Sequence, residues 1–264
     1  MSDTAMVILG ISFIFAMTTA GAATVFFFKK DISPKINTLL LGFASGIMIA
    51  ASVWSLLIPA LADAHYASWG AFSWSPAAVG FIIGGLFLVL LDKVVPHIHK
   101  GTNIEEGPRI SLKKSTKMFL AVTIHNIPEG LAVGFAFGAA ATTGQPAAYI
   151  AALGLAIGIG IQNLPEGSAV ALPLKNDMGS SKKAFLFGMG SGAVEPVFAV
   201  IGYFLAAYIS ILQPWLLAFA AGAMIFVVAE DLIPDAKMSD EPHFGTWGVM
   251  AGFVLMMVLD VALG

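Results

Sequence analysis

The chain has 264 residues, 58% hydrophobic and only 11% charged, against about 25% charged in a water-soluble domain; with a mean hydropathy of +0.88 this excludes a soluble globular protein and requires an integral membrane protein. The net charge of −3 gives no argument for nucleic acid or another charged partner. The lack of cysteine removes disulfides, thiolate metal sites and cysteine catalysis.

A helix needs about 20 mostly apolar residues to cross the hydrocarbon core. Eight stretches qualify, at roughly 5–28, 36–62, 76–95, 116–141, 147–173, 184–208, 214–234 and 245–263, numbered spans 1 to 8. Span 1 differs from a signal peptide: no Lys or Arg precedes Lys29, and the stretch is too long for such a segment. The reading is therefore an all-α membrane protein with a single domain over 1–264. Lys29, Lys30 and Lys35 follow span 1, and Lys93, Lys100, Arg109, Lys113, Lys114 and Lys117 surround a short, flexible loop at 96–115. Lys175, Lys182 and Lys183 follow span 5, and Lys237 follows span 7. All 13 basic residues thus fall on one face, which the positive-inside rule makes cytoplasmic and which puts both termini outside a cell membrane.

Residues 41–49 (LGFASGIMI) in span 2 resemble 217–225 (LAFAAGAMI) in span 7, and both runs lead to a proline, Pro59 and Pro234. Residues 84–92 in span 3 resemble 252–260 in span 8, each closing on Leu-Asp. Partners five spans apart cross the membrane in opposite directions, so spans 1–3 and 6–8 form candidate inverted repeats around the central pair 4 and 5, a pattern found in transporters.

The chemistry falls on that central pair. Span 4 carries His125-Asn126-Ile127-Pro128-Glu129-Gly130 and span 5 carries Gln162-Asn163-Leu164-Pro165-Glu166-Gly167, 37 residues on. His125 and Glu129 are four apart and share a helix face, as do Gln162 and Glu166. Each proline frees the carbonyl four residues back, at Ile124 and Ile161, and predicts a kink that opens a polar cavity at membrane depth. Glu129, Glu166, Glu195, Glu230, Asp231 and Asp260 lie within or at the ends of spans, while no Lys or Arg lies inside any. Carboxylates in a bilayer need a positive partner, either protons or a cation. One imidazole, amides and carboxylates suit Zn²⁺, Fe²⁺, Mn²⁺ or Cd²⁺; Ca²⁺ and Mg²⁺ favour all-oxygen sites.

The paired motifs resemble those of the ZIP family of metal-ion transporters, in particular the bacterial branch whose second motif begins with Gln. The resemblance covers nearly the whole chain and implies a homodimer that moves divalent metal toward the cytoplasm by alternating access, with no organic cofactor. It implies a binuclear site: a first metal on Met48, His125, Glu129, Gln162 and Glu166, and a second on Asn126, Glu129, Asn163, Glu166 and Glu195, the two glutamates bridging. Glu230 and Asp231 fall on the implied exit route, and Asp63 and His65 at the outer entry. Gln162 stands where many relatives have His, which broadens the expected metal range, and Asn163 stands where the nearest pattern has an acid. A long His-rich loop of the family is reduced here to His97 and His99, which read equally well as ordinary solvated residues. Gly80 and Gly84, a small-xxx-small pair, suggest a contact between copies, whereas Gly130, Gly134 and Gly138 suit packing within the chain.

Two other readings use the same acids. An intramembrane metallohydrolase would need a third protein ligand, and no His-Glu-x-x-His is present. A proton-coupled organic-cation carrier would need no metal. No phosphate-binding Gly-x-x-x-x-Gly-Lys-Ser/Thr occurs either, which argues against an ATP-driven pump.

Overall fold

In the computed structural model, which describes residues 1–28, 33–98, 105–108, 110–236 and 242–263, eight helices among the described residues are long and apolar enough to cross a membrane. They are span 1 (Asp3–Phe26), span 2 (Pro34–Ala62), span 3 (Trp69–Val94), span 4 (Ser115–Thr143), span 5 (Pro146–Met178), span 6 (Ser181–Tyr208), span 7 (Ser210–Asp235) and span 8 (Phe244–Leu263). Local chemistry sets several ends. Ser2, Ser33 and Ser180 accept from the backbone amides of Ala5, Ile36 and Lys183, which satisfies donors that a helix start leaves open. Gly144 and Gly179 take left-handed φ values of 62° and 60° after spans 4 and 5, the conformation that ends a helix at little cost in glycine.

Two irregular turns lie where the sequence marks none. The helices run without interruption through Pro128 and Pro165. Spans 2 and 7 instead widen into π-helical turns at Ser52–Leu57 and Val228–Leu232, just before Pro59 and Pro234. A wider turn relieves the clash of a proline ring with the carbonyl four residues back. Span 6 breaks at Ala193, between Ser181–Gly192 and Val194–Tyr208.

Spans 4 and 6 pack closely, as do 1 and 5, 2 and 8, and 3 and 7. Spans 1, 4, 5 and 6 thus form one four-helix group and spans 2, 3, 7 and 8 another. The groups meet where span 2 and span 8 touch span 5 and where span 7 touches span 4. The centre is wider than spans 4 and 5 alone, because spans 2 and 7 also bury more than half of their apolar windows, whereas spans 3 and 8 bury 22% and 17%. Their outer faces present Ile82, Leu86, Leu90, Val258 and Val261, an apolar surface suited to lipid and not to water.

Gly80 and Gly84 do not form a free face. A Cβ at either would run into the backbone of Trp215 or Phe219 in span 7, so this stripe serves close packing inside the chain and gives no argument for a dimer. Gly130, Gly134 and Gly138 do likewise against Glu195, Ala199 and Tyr203 of span 6, as predicted.

The 96–115 region contains an antiparallel pair, His97–Ile98 with Glu105–Glu106. His97 is buried, not solvated. Its Nδ1 lies 2.8 Å from the Val95 carbonyl oxygen and its Nε2 lies 3.4 Å from Asp92 Oδ1, at the end of span 3. His99 lies outside the described residues.

Candidate functional site

Two hollows enter the bundle from opposite ends. The first holds about 740 Å³ of empty space out to its open mouth and is lined by His125, Glu129, Glu166, Asp231 and Asp235 among apolar neighbours such as Leu41 and Met118. Its lining comes from the half of each span nearest the basic loops. The second, about 1030 Å³, lies at the other end and is lined by Ser55, Asp63, Thr143, Gln213 and Asp260 among others. Along span 4 the two are separated by Leu131, Ala132, Val133 and Phe135, and along span 5 by Ile159 and Gln162, all buried.

The helical spacing does what the sequence requires: His125 and Glu129 line one cavity from span 4, and Glu166 joins them from span 5. Glu129 is almost fully buried, and Gln162 Nε2 donates to its Oε1 at 2.7 Å. His125 Nε2 stands 3.0 Å from Asp231 Oδ2. Asp231, predicted on the exit route, therefore belongs to the cavity and links span 7 to span 4. Glu230 is exposed and is not part of the lining. Met48 is fully buried in the apolar core and does not line the cavity either.

The remaining polar residues turn toward spans 1 and 6. Asn126 Nδ2 donates to the Ser191 carbonyl at 2.9 Å, and Asn163 Nδ2 donates to Glu195 Oε2 at 3.0 Å. Thr18 of span 1, which no motif marks, donates to Glu195 Oε1 at 2.6 Å. Basic residues do occur in the end turns of spans, contrary to the sequence reading: Lys35, Lys93, Lys117, Lys175, Lys182 and Lys183 lie inside them. None lines the cavity. Lys175 Nζ instead donates to the carbonyls of Val25 and Phe28 at the end of span 1.

Three buried oxygens in the centre have no hydrogen-bond partner: Glu129 Oε2, Gln162 Oε1 and Asn163 Oδ1. An unsatisfied buried polar atom costs about 1–3 kcal/mol, so a cluster of acceptor oxygens beside one imidazole is chemically fitted to a cation. Among the described residues no three His, Asp or Glu side chains are drawn together closely enough to hold an ion; the donors surround a cavity. Asp63 lines the other hollow with Asp260, whose Oδ1 accepts from Ser55 at 2.5 Å. His65 lies in the 3-10 helical segment Ala64–Phe72, and its side chain is outside what the structure describes.

Comparison with known proteins agrees with this chemistry. A family model described as ZIP Zinc transporter matches residues 114–260. The human zinc transporter ZIP11 is 37% identical, covering 97% of this chain and 97% of its own length. Zinc transporter GufA of Myxococcus xanthus is 35% identical, covering 89% of this chain and 90% of its own. Zinc transporter ZIPB of Bordetella bronchiseptica is 37% identical, covering 95% of this chain and 79% of its own. All three are named as transporters and none as an enzyme.

Proposed function

The chain belongs to the ZIP zinc transporter family, and from that premise we propose that it carries divalent transition-metal ions, Zn²⁺ and also Cd²⁺, Fe²⁺ or Mn²⁺, across the cell membrane into the cytoplasm. The observation that carries this reading is the cavity shared by His125, Glu129, Glu166, Asp231 and Asp235, an imidazole and four carboxylates with no basic side chain in the lining. A first metal position draws on His125, Glu129, Gln162 and Glu166, with Met48 as the further ligand that the family resemblance implies. The family resemblance implies an adjoining second position on Asn126, Asn163 and Glu195 that would share both glutamates.

The ion enters through the vestibule of Asp63 and Asp260 near His65, loses water to the central donors, and leaves past Asp231 and Glu230. With the metal cavity opening on the basic face and buried apolar residues between it and the vestibule, the structure reads as the inward-open member of an alternating-access pair. The two four-helix groups are its moving parts. Repeat symmetry supports this. Exchanging span 1 with 6, 2 with 7, 3 with 8 and 4 with 5 turns the 2–8 pairing into 7–3 and the 1–5 pairing into 6–4. Both spans 2 and 7 also carry a π-helical turn before a proline. The confinement of the basic residues sets the cytoplasmic face and leaves both termini outside. A homodimer follows from the family resemblance, with its interface elsewhere than Gly80 and Gly84.

Calorimetric titration of the purified protein with Zn²⁺ in buffers of different ionisation enthalpy tests the metal reading. Zinc binding with proton release is expected, because the ion displaces protons from its ligands. A protein that binds no divalent ion, yet transports an organic cation, would refute it.

A further inference from the structure

Resting on that reading and narrowing it, we infer that the second metal position is closed in this chain by a Thr18–Glu195–Asn163 hydrogen-bond cluster, so that a single ion occupies the centre instead of a bridged pair. Glu195 is fully buried, and both of its oxygens are engaged. Thr18 Oγ1 donates to Oε1 at 2.6 Å and Asn163 Nδ2 donates to Oε2 at 3.0 Å. Thr18 is itself 2% exposed, so water does not compete for that bond. Asn126 has its amide nitrogen on the Ser191 carbonyl, which ties it to span 6.

The backbone is shaped for this arrangement. A Cβ at Gly192 would lie 2.7 Å from Thr18 Cγ2 and 3.2 Å from Glu195 Oε1. Glycine at that position lets span 1 bring the hydroxyl onto the carboxylate. The chemistry at 163 points the same way. An acid there would face Glu195 across a hydrogen-bond distance, and two carboxylates so placed need a proton or a cation between them. The asparagine puts an N–H in that place. Its own Oδ1 is left without a partner, but a neutral amide oxygen brings none of the charge that the missing acid would supply. Of the other unpartnered oxygens, Gln162 Oε1 belongs to a residue of the first position alone and Glu129 Oε2 to the residue that both positions would share. Glu195 is thus a positioning residue that joins spans 1, 5 and 6, and Thr18 is its partner.

The test is zinc-edge X-ray absorption on the full-length purified protein loaded with Zn²⁺, with the metal counted by mass spectrometry. The unsubstituted protein is expected to show no zinc–zinc scattering at the roughly 3.5–4 Å of a bridged pair. Asn163→Asp is expected to gain that scattering and one further zinc per chain. Zinc–zinc scattering in the unsubstituted protein, or its absence from folded Asn163→Asp, would overturn the inference. If Asn163→Asp does not fold, the spectrum of the unsubstituted protein decides alone. Zinc that Glu129→Ala leaves fully in place would instead defeat the underlying metal-site reading, a distinct result.

Discussion

The two copies of the Asn-x-Pro-Glu-Gly pattern look interchangeable in sequence, yet the structure uses them differently. In span 4 the leading residue, His125, reaches across to Asp231 of span 7, a residue of the other four-helix group. In span 5 the leading residue, Gln162, turns inward to Glu129 within its own group. Asn126 holds a backbone carbonyl of span 6, whereas Asn163 holds the Glu195 carboxylate. The span 4 copy therefore links the cavity to the other four-helix group, and the span 5 copy links two residues within its own. A repeated motif need not give two equal sites; its neighbours decide what each copy does.

The largest effects are expected at the glutamates, Glu129 in the span 4 copy and Glu166 in the span 5 copy. Glu129→Ala or Glu166→Ala should lower zinc flux in proteoliposomes by about two orders of magnitude or more, since even an outer partner of a metal ligand is worth about 10–100-fold, while the purified variants still elute as folded protein. Asp231→Asn should lower flux by roughly 10-fold or more through loss of the His125 partner. Gln162→Ala, which leaves His125 and Asp231 paired, should lower it less. Gln162→His makes the leading residues alike and should shift competition between metals toward Zn²⁺ over Mn²⁺, because imidazole suits zinc and oxygen donors suit manganese. Asp260→Asn in the outer vestibule should have the smallest effect. It should raise KM a few-fold at low ionic strength with little change in maximal flux, as expected of a charge that only concentrates the cation. Acidification should slow uptake in every active variant, since protons compete with metal for carboxylate and imidazole.

Much of this was legible in the sequence because membrane helices obey strong rules. Length and hydropathy mark all eight spans, since every backbone polar group in lipid must be satisfied within a helix. The i, i+4 spacing places His125 and Glu129 on one face, and the structure finds both lining one cavity. What escaped the sequence depends on contacts between distant spans. Thr18 is one of several hydroxyl residues in span 1, and only the approach of span 6 at Gly192 singles it out. Asp231 and Glu230 are adjacent acids, and only the packing of span 7 brings Asp231 and not Glu230 into the cavity lining. The helices run on through the prolines at 128 and 165, and nothing in the sequence marked the π-helical turns that precede Pro59 and Pro234. His97 looked like a loop residue until packing against Asp92 buried it.

Passage of a divalent ion through the cavity of spans 4 and 5 is tested most directly by uptake of radiolabelled Zn²⁺ into proteoliposomes. The unsubstituted protein is expected to take up zinc saturably, and that uptake is expected to disappear in both Glu129→Ala and Glu166→Ala. Uptake that persists at the unsubstituted rate in both variants would contradict it.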